Sequence, residues 1–324
     1  MHPDEVAKQL ACSRGTANPS GPHPLWEHMA IEGLHPDDIA SRHALHSRPK
    51  PSWSPFRYGQ STTVLADGTE VLVGGHQDDA YSDEFFIYND VIVHSPDGSV
   101  RIHTYATDAF PPTDLHSATE VDGRLLLVGN LGYPEHRGSR VQVVSIDLTT
   151  FRAEQIPTEG DAPGWLHGHD TVPSGLSALE IRGGRVLVGD TLLRNPHQYS
   201  LDANTLQWRR VGSVQLTELR IGAADGSPLP LWRIRGDGDV SDRLSEALYG
   251  SDAALDWNPK EFARETFIAG FGGPVKCYEG LDGIEVVCTG PVPAGLQDRV
   301  ERMRQALEAA TGMSLVVELL PGLE

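Results

Sequence analysis

The sequence predicts a mainly β protein in which similar β units follow one another in the middle of the chain. Glycine and proline are frequent, with 34 and 23 residues, as is typical of a chain with many turns. Glycine-containing turns recur between apolar stretches in the central region, whereas helical apolar spacing appears near the C-terminus. We therefore predict a helical lead-in at 1–50, β units at 51–235 and a small α+β module at 236–324.

Three stretches of the central region share one layout, in which a strand leads to a tight turn and the turn leads to an apolar strand that ends in glycine. The turns lie at residues 66–68, 121–123 and 182–184. Glycine in such a turn favours a hairpin, because a type I′ turn needs residues with positive φ. The turn glycines Gly68, Gly123 and Gly184 are 55 and then 61 residues apart. A period of about 50 is typical of propeller repeats.

Two further segments recur within these units. Residues 147–150 (Asp-Leu-Thr-Thr) align with residues 202–205 (Asp-Ala-Asn-Thr), and Trp208 follows the second copy. Residues 112–116 align with residues 163–167 at the start of two units, so that His116 corresponds to His167. Together with the doublet Gly74-Gly75, these features resemble kelch repeats, whose units carry a Gly-Gly doublet after the second strand and an Asp-x-x-Thr-x-x-Trp turn.

The kelch resemblance covers about half of the chain and implies a β-propeller fold, but this fold hosts unrelated activities and implies no single one. Complete propellers contain about four to eight units, and three are clear in this sequence. A degenerate fourth unit at 215–235, an incomplete propeller, and completion by a partner or by self-association are the alternatives.

The regions that flank the β units are predicted from helix caps and apolar spacing. In the lead-in, Pro36 stands at the first position of a helix and two acidic residues follow it, where the helix dipole favours them. The C-terminal module is expected to pack a helix with one apolar face on a three-stranded sheet. Its predicted elements are helices at 241–249, 258–266 and 295–310, a hairpin of 275–278 with 284–289, and a strand at 314–320.

Three cysteines, Cys12, Cys277 and Cys288, fit a reducing compartment better than a disulfide scaffold. If Asp282 and Gly283 form a two-residue hairpin turn, Cys277 and Cys288 face each other across the two strands. They would then form a hydrogen-bonded pair, which has the wider Cβ separation. This geometry favours two facing free thiols over a disulfide.

The net charge of −19 argues against nucleic acid or a membrane surface as the main partner, because both bind basic surfaces. High solubility or attraction to a basic protein would explain the acidic balance. The sequence contains no apolar run of membrane-spanning length, and the first residues lack the basic and apolar regions of a secretory signal. We therefore expect a cytoplasmic protein.

A cluster of histidines is the first candidate for chemistry. His167 and His169 are two residues apart, so on a strand they point to one face, and imidazole is a good ligand for Zn or Fe. With His116 and Asp170 they form a candidate metal site. The alternative is structural, because His167 stands at the start of a repeat and aligns with His116.

The loop at residues 76–84 is the second candidate, as a surface that contacts a partner, because functional residues concentrate on loops. Its spacing does not match a calcium loop, and a solvated connection explains it equally well. Together with residues of two other loops, the candidate partner-binding set is His76, Asp78, Asp79, Tyr81, Asp83, Glu84, Tyr133, His136 and Trp165.

The sequence contains no nucleophile elbow, phosphate-binding loop or His-Glu-x-x-His motif, so no catalytic residue is assigned and a binding function is favoured over an enzymatic one. The first hypothesis is a cytoplasmic protein-binding module without a cofactor, in its sharpest form an immunity-type protein that neutralises a basic toxin. The second is a metal-dependent enzyme that uses the His/Asp cluster. The third is a structural role in an oligomer that completes the propeller.

Overall fold

A computed structural model describes residues 2–78, 82–175, 177–229, 231, 238–250, 255–258, 260–261, 263–268, 270–271, 275–280 and 283–323, with the backbone alone at 238–243. The protein is mainly β, and the described residues contain 24 strands in several sheets. Two compact domains are present. The N-terminal domain comprises Met1–Leu192 and Tyr199–Val211, and the C-terminal domain comprises Leu193–Gln198 and Gly212–Glu324.

The N-terminal domain begins with three short helices, α1 (Pro3–Leu10), α2 (Pro24–Glu32) and α3 (Pro36–Arg42). Each helix has proline at its first position, where the missing N–H is not needed by the helix. The helical lead-in predicted from the sequence is therefore present, including the helix that starts at Pro36. Within the described residues, no helix has the length and apolar character needed to cross a membrane.

Three antiparallel four-stranded groups, which we call the first, second and third β units, follow the helices. The first contains β1 (Ser61–Val64), β2 (Glu70–Val73), β5 (Asp90–His94) and β6 (Val100–Thr104), with the short strands β3 (His76–Gln77) and β4 (Phe86–Ile87) in its long loop. The second contains β7 (Ser117–Val121), β8 (Arg124–Val128), β9 (Val143–Asp147) and β10 (Ala153–Gln155), with a 3-10 turn at Pro134–His136.

The third β unit contains β13 (Asp170–Ser174), β14 (Ala178–Arg182), β17 (His197–Asp202) and β18 (Gln207–Ser213), and β11 (Glu159–Gly160) adds a parallel edge strand. A separate three-stranded sheet contains β12 (Leu166–His167), β15 (Arg185–Val188) and β16 (Thr191–Arg194). The Asp-x-x-Thr turns predicted from the sequence are present as Asx turns between the third and fourth strands. Asp147 accepts hydrogen bonds from the backbone N–H groups of Thr149 and Thr150, and Asp202 accepts them from those of Asn204 and Thr205.

The hairpin predicted across residues 182–184 is wrong. Strand β14 pairs with β13 around a turn at Gly175, and Gly183-Gly184 follows β14 as the counterpart of Gly74-Gly75. Turn glycines and doublet glycines both adopt positive φ and both stand between apolar strands, so the sequence pattern alone did not separate them. With this register, the first doublet positions Gly74, Gly129 and Gly183 are evenly spaced, 55 and 54 residues apart.

The two junctions between β units repeat the same backbone contacts. The N–H of Leu115 donates to the carbonyl of Gly59 at 2.8 Å, and the N–H of Gly168 donates to the carbonyl of Leu115 at 2.7 Å. All three residues adopt the left-handed backbone region. This register makes His169, rather than His167, the counterpart of His116, because His116 and His169 directly follow the equivalent residues Leu115 and Gly168.

A second repeated contact explains the doublet glycines. Gly75 donates its N–H to the carbonyl of Thr113 at 2.9 Å, and Asn130 donates to the carbonyl of Leu166 at 2.8 Å. A Cβ at Gly74 would lie 2.2 Å from the Thr113 carbonyl oxygen, and one at Gly129 would lie 2.6 Å from the Leu166 oxygen. Only glycine permits the next unit's loop to approach so closely.

The first β unit is buried on both faces. One face contributes Ile92, Val100 and Ile102 to a core shared with the three helices, which supply Leu10, Trp26 and other apolar side chains. The opposite face forms a core with the second β unit. That core contains Val71, Val73, Val91 and Val93 from the first unit and Leu125, Leu127, Val144 and Ile146 from the second.

The third β unit buries only one face. Thr171 and Ile181 are paired across β13 and β14, and Thr171 bonds the Ser117 hydroxyl of the second unit at 2.7 Å, so this face points inward. Ile181 is fully buried. On the opposite face, Val172 is 50% exposed and lies across from Glu180. A buried face opposite a largely polar one is typical of an antiparallel sheet with one side in water.

The C-terminal domain has a six-stranded sheet rather than the predicted three-stranded one. Its strands are ordered β20-β21-β22-β23-β19-β24. Two helices, which we number α4 and α5, contribute to its core. Its elements are β19 (Leu216–Ala223), α4 (Gly238–Tyr249), β20 (Asp256–Asn258), β21 (Ala263–Phe267), β22 (Val275–Gly280), β23 (Gly283–Thr289), α5 (Leu296–Thr311) and β24 (Leu315–Leu319).

Strand β19 falls in the segment proposed as a degenerate fourth unit, but it pairs with β23 and β24 in this sheet. The helix predicted at 258–266 is also wrong, because β20 and β21 occupy most of that segment. Asn258 accepts the N–H of Lys260 at 3.0 Å and so starts a turn between strands, a geometry that resembles a helix cap in sequence. The helix predicted at 295–310 is present as α5, with Leu296, Val300, Met303 and Leu307 buried.

The predicted cysteine pairing is shifted by two residues. Cys277 lies opposite Val286, and Cys288 lies opposite Val275, because Gly280 pairs with Gly283 and places the turn one residue earlier than assumed. The turn residues themselves, including Asp282, lie outside the described residues. Both thiols are buried and free, and burial raises the pKa of Cys277 well above its ordinary value.

We predict that Gly129→Ala will destabilise the N-terminal domain much more than Gly123→Ala. Both glycines have positive φ, which costs a non-glycine residue about 1–2 kcal/mol. A Cβ at position 123 meets nothing within 4 Å, whereas one at position 129 meets the Leu166 carbonyl and the His169 ring. Urea denaturation of the two variants measures the difference. Equal losses would show that the close approach between units does not require glycine.

A candidate binding cleft in the N-terminal domain

The structure does not assemble the predicted metal site. Nε2 of His116 lies 2.7 Å from the Ser61 hydroxyl, and Nε2 of His169 lies 3.0 Å from the Ser117 hydroxyl. The two histidines therefore occupy equivalent places at successive junctions, and Asp170 is exposed at the start of β13. Among the described residues, no group of three or more histidine, cysteine or acidic side chains is arranged to hold a metal ion.

The predicted loop residues His76 and Glu84 are buried and engaged inside the domain. Nδ1 of His76 lies 2.8 Å from a carboxylate oxygen of Asp114, and both side chains are nearly inaccessible. Glu84 accepts a hydrogen bond from Arg48 at 2.7 Å. Neither side chain presents a free surface to a partner.

The remaining loop candidates are more exposed. Asp83 is largely exposed and pairs with Lys50 at 3.1 Å, and Asp78 accepts a hydrogen bond from the Ser82 hydroxyl at 2.9 Å. The pairing with Lys50 partly neutralises the acidic loop. Asp79 and Tyr81 lie outside the described residues.

The other three predicted residues, Tyr133, His136 and Trp165, line one cleft of about 830 Å³, which we call the loop cleft. Its walls come from strands and loops of the second β unit, from the segments that precede the second and third units, and from the lead-in. Besides these three residues, it is lined by Arg14, Thr107, Pro111, Pro112, Asn130, Gly132, Arg140, Val141, Gln142, Val143, Gln155, Ile156 and Pro157. A volume of this size is typical of sites for small molecules, which occupy clefts of about 300–1,000 Å³.

A network of amide side chains fixes one wall of the loop cleft. Asn130 donates to the Pro112 carbonyl at 2.9 Å and to the Gln142 side chain at 3.2 Å, and its own oxygen accepts the N–H of Asp114. Gln142 donates to the Thr113 hydroxyl at 2.9 Å. Asn130 stands where the other units have the second doublet glycine, so this departure from the repeat supplies the side chain that builds the wall.

Aromatic side chains form the neighbouring surfaces. Trp165 is 8% exposed, and its indole N–H donates to the Leu131 carbonyl at 3.1 Å. The Tyr133 hydroxyl accepts the N–H of Ile87 at 2.9 Å, so that it links the loops of the first two units. The His136 ring lies edge-on to Tyr133. These contacts hold the cleft in shape, and Trp165 presents a small part of its ring to the cleft.

Three basic side chains line the loop cleft. Arg14 is half-buried, with its guanidinium 3.9 Å from the centre of the Phe86 ring and 2.9 Å from the Asn89 side-chain oxygen. Arg140 is exposed and reaches the carbonyls of Thr158 and Gly160 at 3.3 and 3.4 Å. His136 is exposed on the 3-10 turn. Among the described lining residues, none is a carboxylate or a thiol. The cleft can therefore bind and orient a molecule, and its described lining offers no acidic general base or thiol nucleophile.

Arg14, Asn130 and Arg140 also line the cleft, and the sequence patterns did not predict them as site residues. Arg14 comes from the lead-in, far from the repeat, and no periodicity connects it to the loops. Asn130 carried a signal, because it replaces glycine at a doublet position. Arg140 sits in a polar loop without a motif.

Comparisons with known proteins identify no family for this chain. No protein-family model matches it, and no curated protein matches it. Among solved structures, it is similar to the one titled "Structure of YjhT", with 16% sequence identity and a TM-score of 0.33. This match covers 55% of the present chain and spans 62% of the other protein's chain.

We predict that the N-terminal domain loses stability as the pH falls from about 6.5 to about 4. Burial lowers the pKa of His116 and His167 from 6.5 to about 4, so both are neutral in the folded protein across this range. The unfolded chain binds their protons from about pH 6.5 downward, which favours unfolding. Above about pH 6.5 neither state binds them, and these groups have no effect on stability.

Replacing one histidine isolates its share of this effect. We expect His167→Leu to reduce the slope of unfolding free energy against pH by roughly 1.4 kcal/mol per pH unit in this range. Urea denaturation of both proteins from about pH 7.5 down to about pH 4.5 measures the slope. Any change in packing adds a constant at every pH, so parallel curves would contradict the proposed protonation.

Proposed function

We propose that this chain is a ligand-binding protein built on kelch-like β units, with its binding site in the loop cleft. The observation that carries the proposal is a cleft of about 830 Å³ whose walls are held by internal hydrogen bonds and whose lining combines cations, amides and aromatic rings. Such a lining is typical of sites that recognise small molecules by a few placed polar groups on an apolar base.

The kelch-like assignment is supported by the repeated junction contacts and the even spacing of Gly74, Gly129 and Gly183. An incomplete propeller is supported by the helices that cover one face of the first unit and by the exposed face of the third. The three free cysteines support a reducing location such as the cytoplasm. A metal-dependent enzyme is less favoured, because His116 and His169 already bond serines across the junctions.

Blocking the cleft tests this proposal. Gln155 is exposed and lines the cleft, whereas its neighbour Glu154 is exposed and does not. A library of neutral and charged fragments is screened by thermal shift, and bound compounds are titrated against both variants. We expect Gln155→Trp to abolish binding of most hits and Glu154→Trp to retain it. Hits that bind both variants equally, or a screen without hits, would count against the cleft as the site.

A basic protein partner is the second candidate, and a second surface favours it. Phe56 and Tyr58 are 54% and 52% exposed and line a separate cleft of about 450 Å³ with Asp78, while Glu84 and Asp90 already neutralise the lining cations Arg48 and Arg57. Exposed aromatic faces beside carboxylates suit arginine and lysine side chains, which bind both. This surface also fits the net charge of −19 and the immunity-type role considered from the sequence.

A short arginine-rich peptide tests this second surface. We expect Phe56→Ala and Tyr58→Ala to weaken its binding at low ionic strength, and added salt to weaken it further. Phe267→Ala is the matched control, because Phe267 is an exposed aromatic residue of the C-terminal domain. Fluorescence anisotropy of a labelled peptide gives the affinities. An equal loss of peptide affinity in all three variants would show that the attraction is general and not specific to this surface.

A further inference from the structure

The loop cleft has the opposite charge to the chain as a whole. The chain contains 45 acidic and 26 basic residues, yet the described lining of this cleft contains Arg14, His136 and Arg140 and no carboxylate. In a strongly acidic protein, a cleft whose described charged side chains are Arg14 and Arg140 concentrates anions locally, because low-dielectric walls focus the field.

The two arginines of the cleft are held by neutral groups. Arg14 donates to the side-chain oxygen of Asn89 and stacks on Phe86, which fixes the plane of its guanidinium. Arg140 donates to backbone carbonyls with one of its nitrogens. A guanidinium has five N–H donors, so each arginine retains donors for a ligand. Among the described residues, neither forms an ion pair with a carboxylate.

Arg14 gives the stronger indication of an anionic ligand, because its side chain is partly removed from water. Burial lowers the pKa of Arg14 below its ordinary value. Asp90, the carboxylate that attracts Arg14, is already paired with Arg57, so the half-buried Arg14 has no carboxylate of its own among the described residues, which is unfavourable for the free protein. An anion bound in the cleft would supply the missing countercharge, through charge-assisted hydrogen bonds that are shorter and stronger than neutral ones.

The rest of the lining sets the shape of the ligand. Val141, Val143, Ile156 and the Trp165 ring provide an apolar surface next to the cations. A simple inorganic anion would leave this surface in contact with water. A molecule with a charged group at one end and an apolar or ring portion at the other uses both surfaces.

We propose that the loop cleft binds a small organic anion, with its carboxylate or phosphate group against Arg14 and Arg140 and its apolar portion against Trp165. This inference rests on the proposed ligand-binding function and specifies its ligand class. A carboxylate and a phosphate ester share the recognition chemistry, because both accept paired hydrogen bonds from a guanidinium.

Calorimetric titration with benzoate, benzamide and inorganic phosphate tests the inference at low ionic strength. Benzoate and benzamide have similar shapes and differ in charge, and phosphate has charge without an apolar portion. We expect saturable binding of benzoate, with benzamide and phosphate each at least about tenfold weaker. Benzamide that binds as tightly as benzoate would overturn the charge recognition. Phosphate that binds as tightly as benzoate would overturn the apolar half of the site.

Matched arginine variants locate the interaction. We expect Arg140→Gln and Arg14→Gln each to weaken benzoate binding by about tenfold or more, the usual effect of losing one charge-assisted hydrogen bond. Arg152→Gln should leave it unchanged, because Arg152 is also exposed and bonded to a backbone carbonyl but lies outside the cleft. Circular dichroism confirms that the variants fold.

The outcomes separate this inference from the proposed function. Benzoate binding that is unaffected by Arg140→Gln, or no saturable benzoate binding at all, would overturn the anion site. If neutral fragments nevertheless bind the native protein and fail to bind the Gln155→Trp variant, the proposed ligand-binding function stands and only the anion site is overturned. If Gln155→Trp changes the binding of neither benzoate nor any fragment, both proposals fail.

Discussion

The buried ion pair between Arg57 and Asp90 is the interaction on which the N-terminal domain depends. Both side chains are almost inaccessible, and Asp90 also accepts the indole N–H of Trp53 at 3.0 Å while the Tyr88 ring lies 3.4 Å from the guanidinium. Removing one partner of such a pair leaves an unpaired buried charge, which typically costs about 3–5 kcal/mol. The pair therefore joins the chain ahead of β1 to the centre of the first sheet. Arg57 also donates to the carbonyl of Gly74 at 3.0 Å, next to the contact where the following unit docks.

The loop cleft depends on the same junction geometry. Close backbone approach at the doublets brings each loop over the preceding unit, and at the second doublet Asn130 takes the place of glycine and organises Pro112, Asp114 and Gln142 around itself. Arg14 then enters from a segment that is tied down nearby, since Asn18 bonds both backbone groups of Ala153 in β10. The loop cleft is therefore formed by three parts. They are the repeated junction between units, Asn130 in place of a doublet glycine, and the lead-in segment that carries Arg14.

The sequence predicted the features of this protein that depend on interactions between residues close together in the chain. The helix that starts at Pro36, the Asx turns and the one-sided apolar face of α5 appear where expected, because each depends on a few neighbouring residues. The third unit was placed out of register because Gly175 and Gly183-Gly184 offer equivalent turn signals, and only pairing with β13 chooses between them. Strand β19 and the segment around Asn258 depend on distant partners in the sheet. Tyr133, His136 and Trp165, predicted as part of a partner-binding set, line the loop cleft because they lie on loops of the repeat. Arg14 reaches the cleft from about a hundred residues away in sequence, so its place there is visible only in three dimensions.

The exposed face of the third β unit has a consequence for assembly. Proteins whose two end faces are complementary can add further copies head to tail without limit and form filaments. Here the two terminal faces of the stack differ, since helices α1–α3 seal the first unit, while Val172 opposite Glu180 and the neighbouring polar side chains leave the last one hydrated. In repeat proteins in general, a polar outer face on the terminal repeat is a requirement for solubility. The described array of β units therefore has one end covered by helices and one end exposed to solvent.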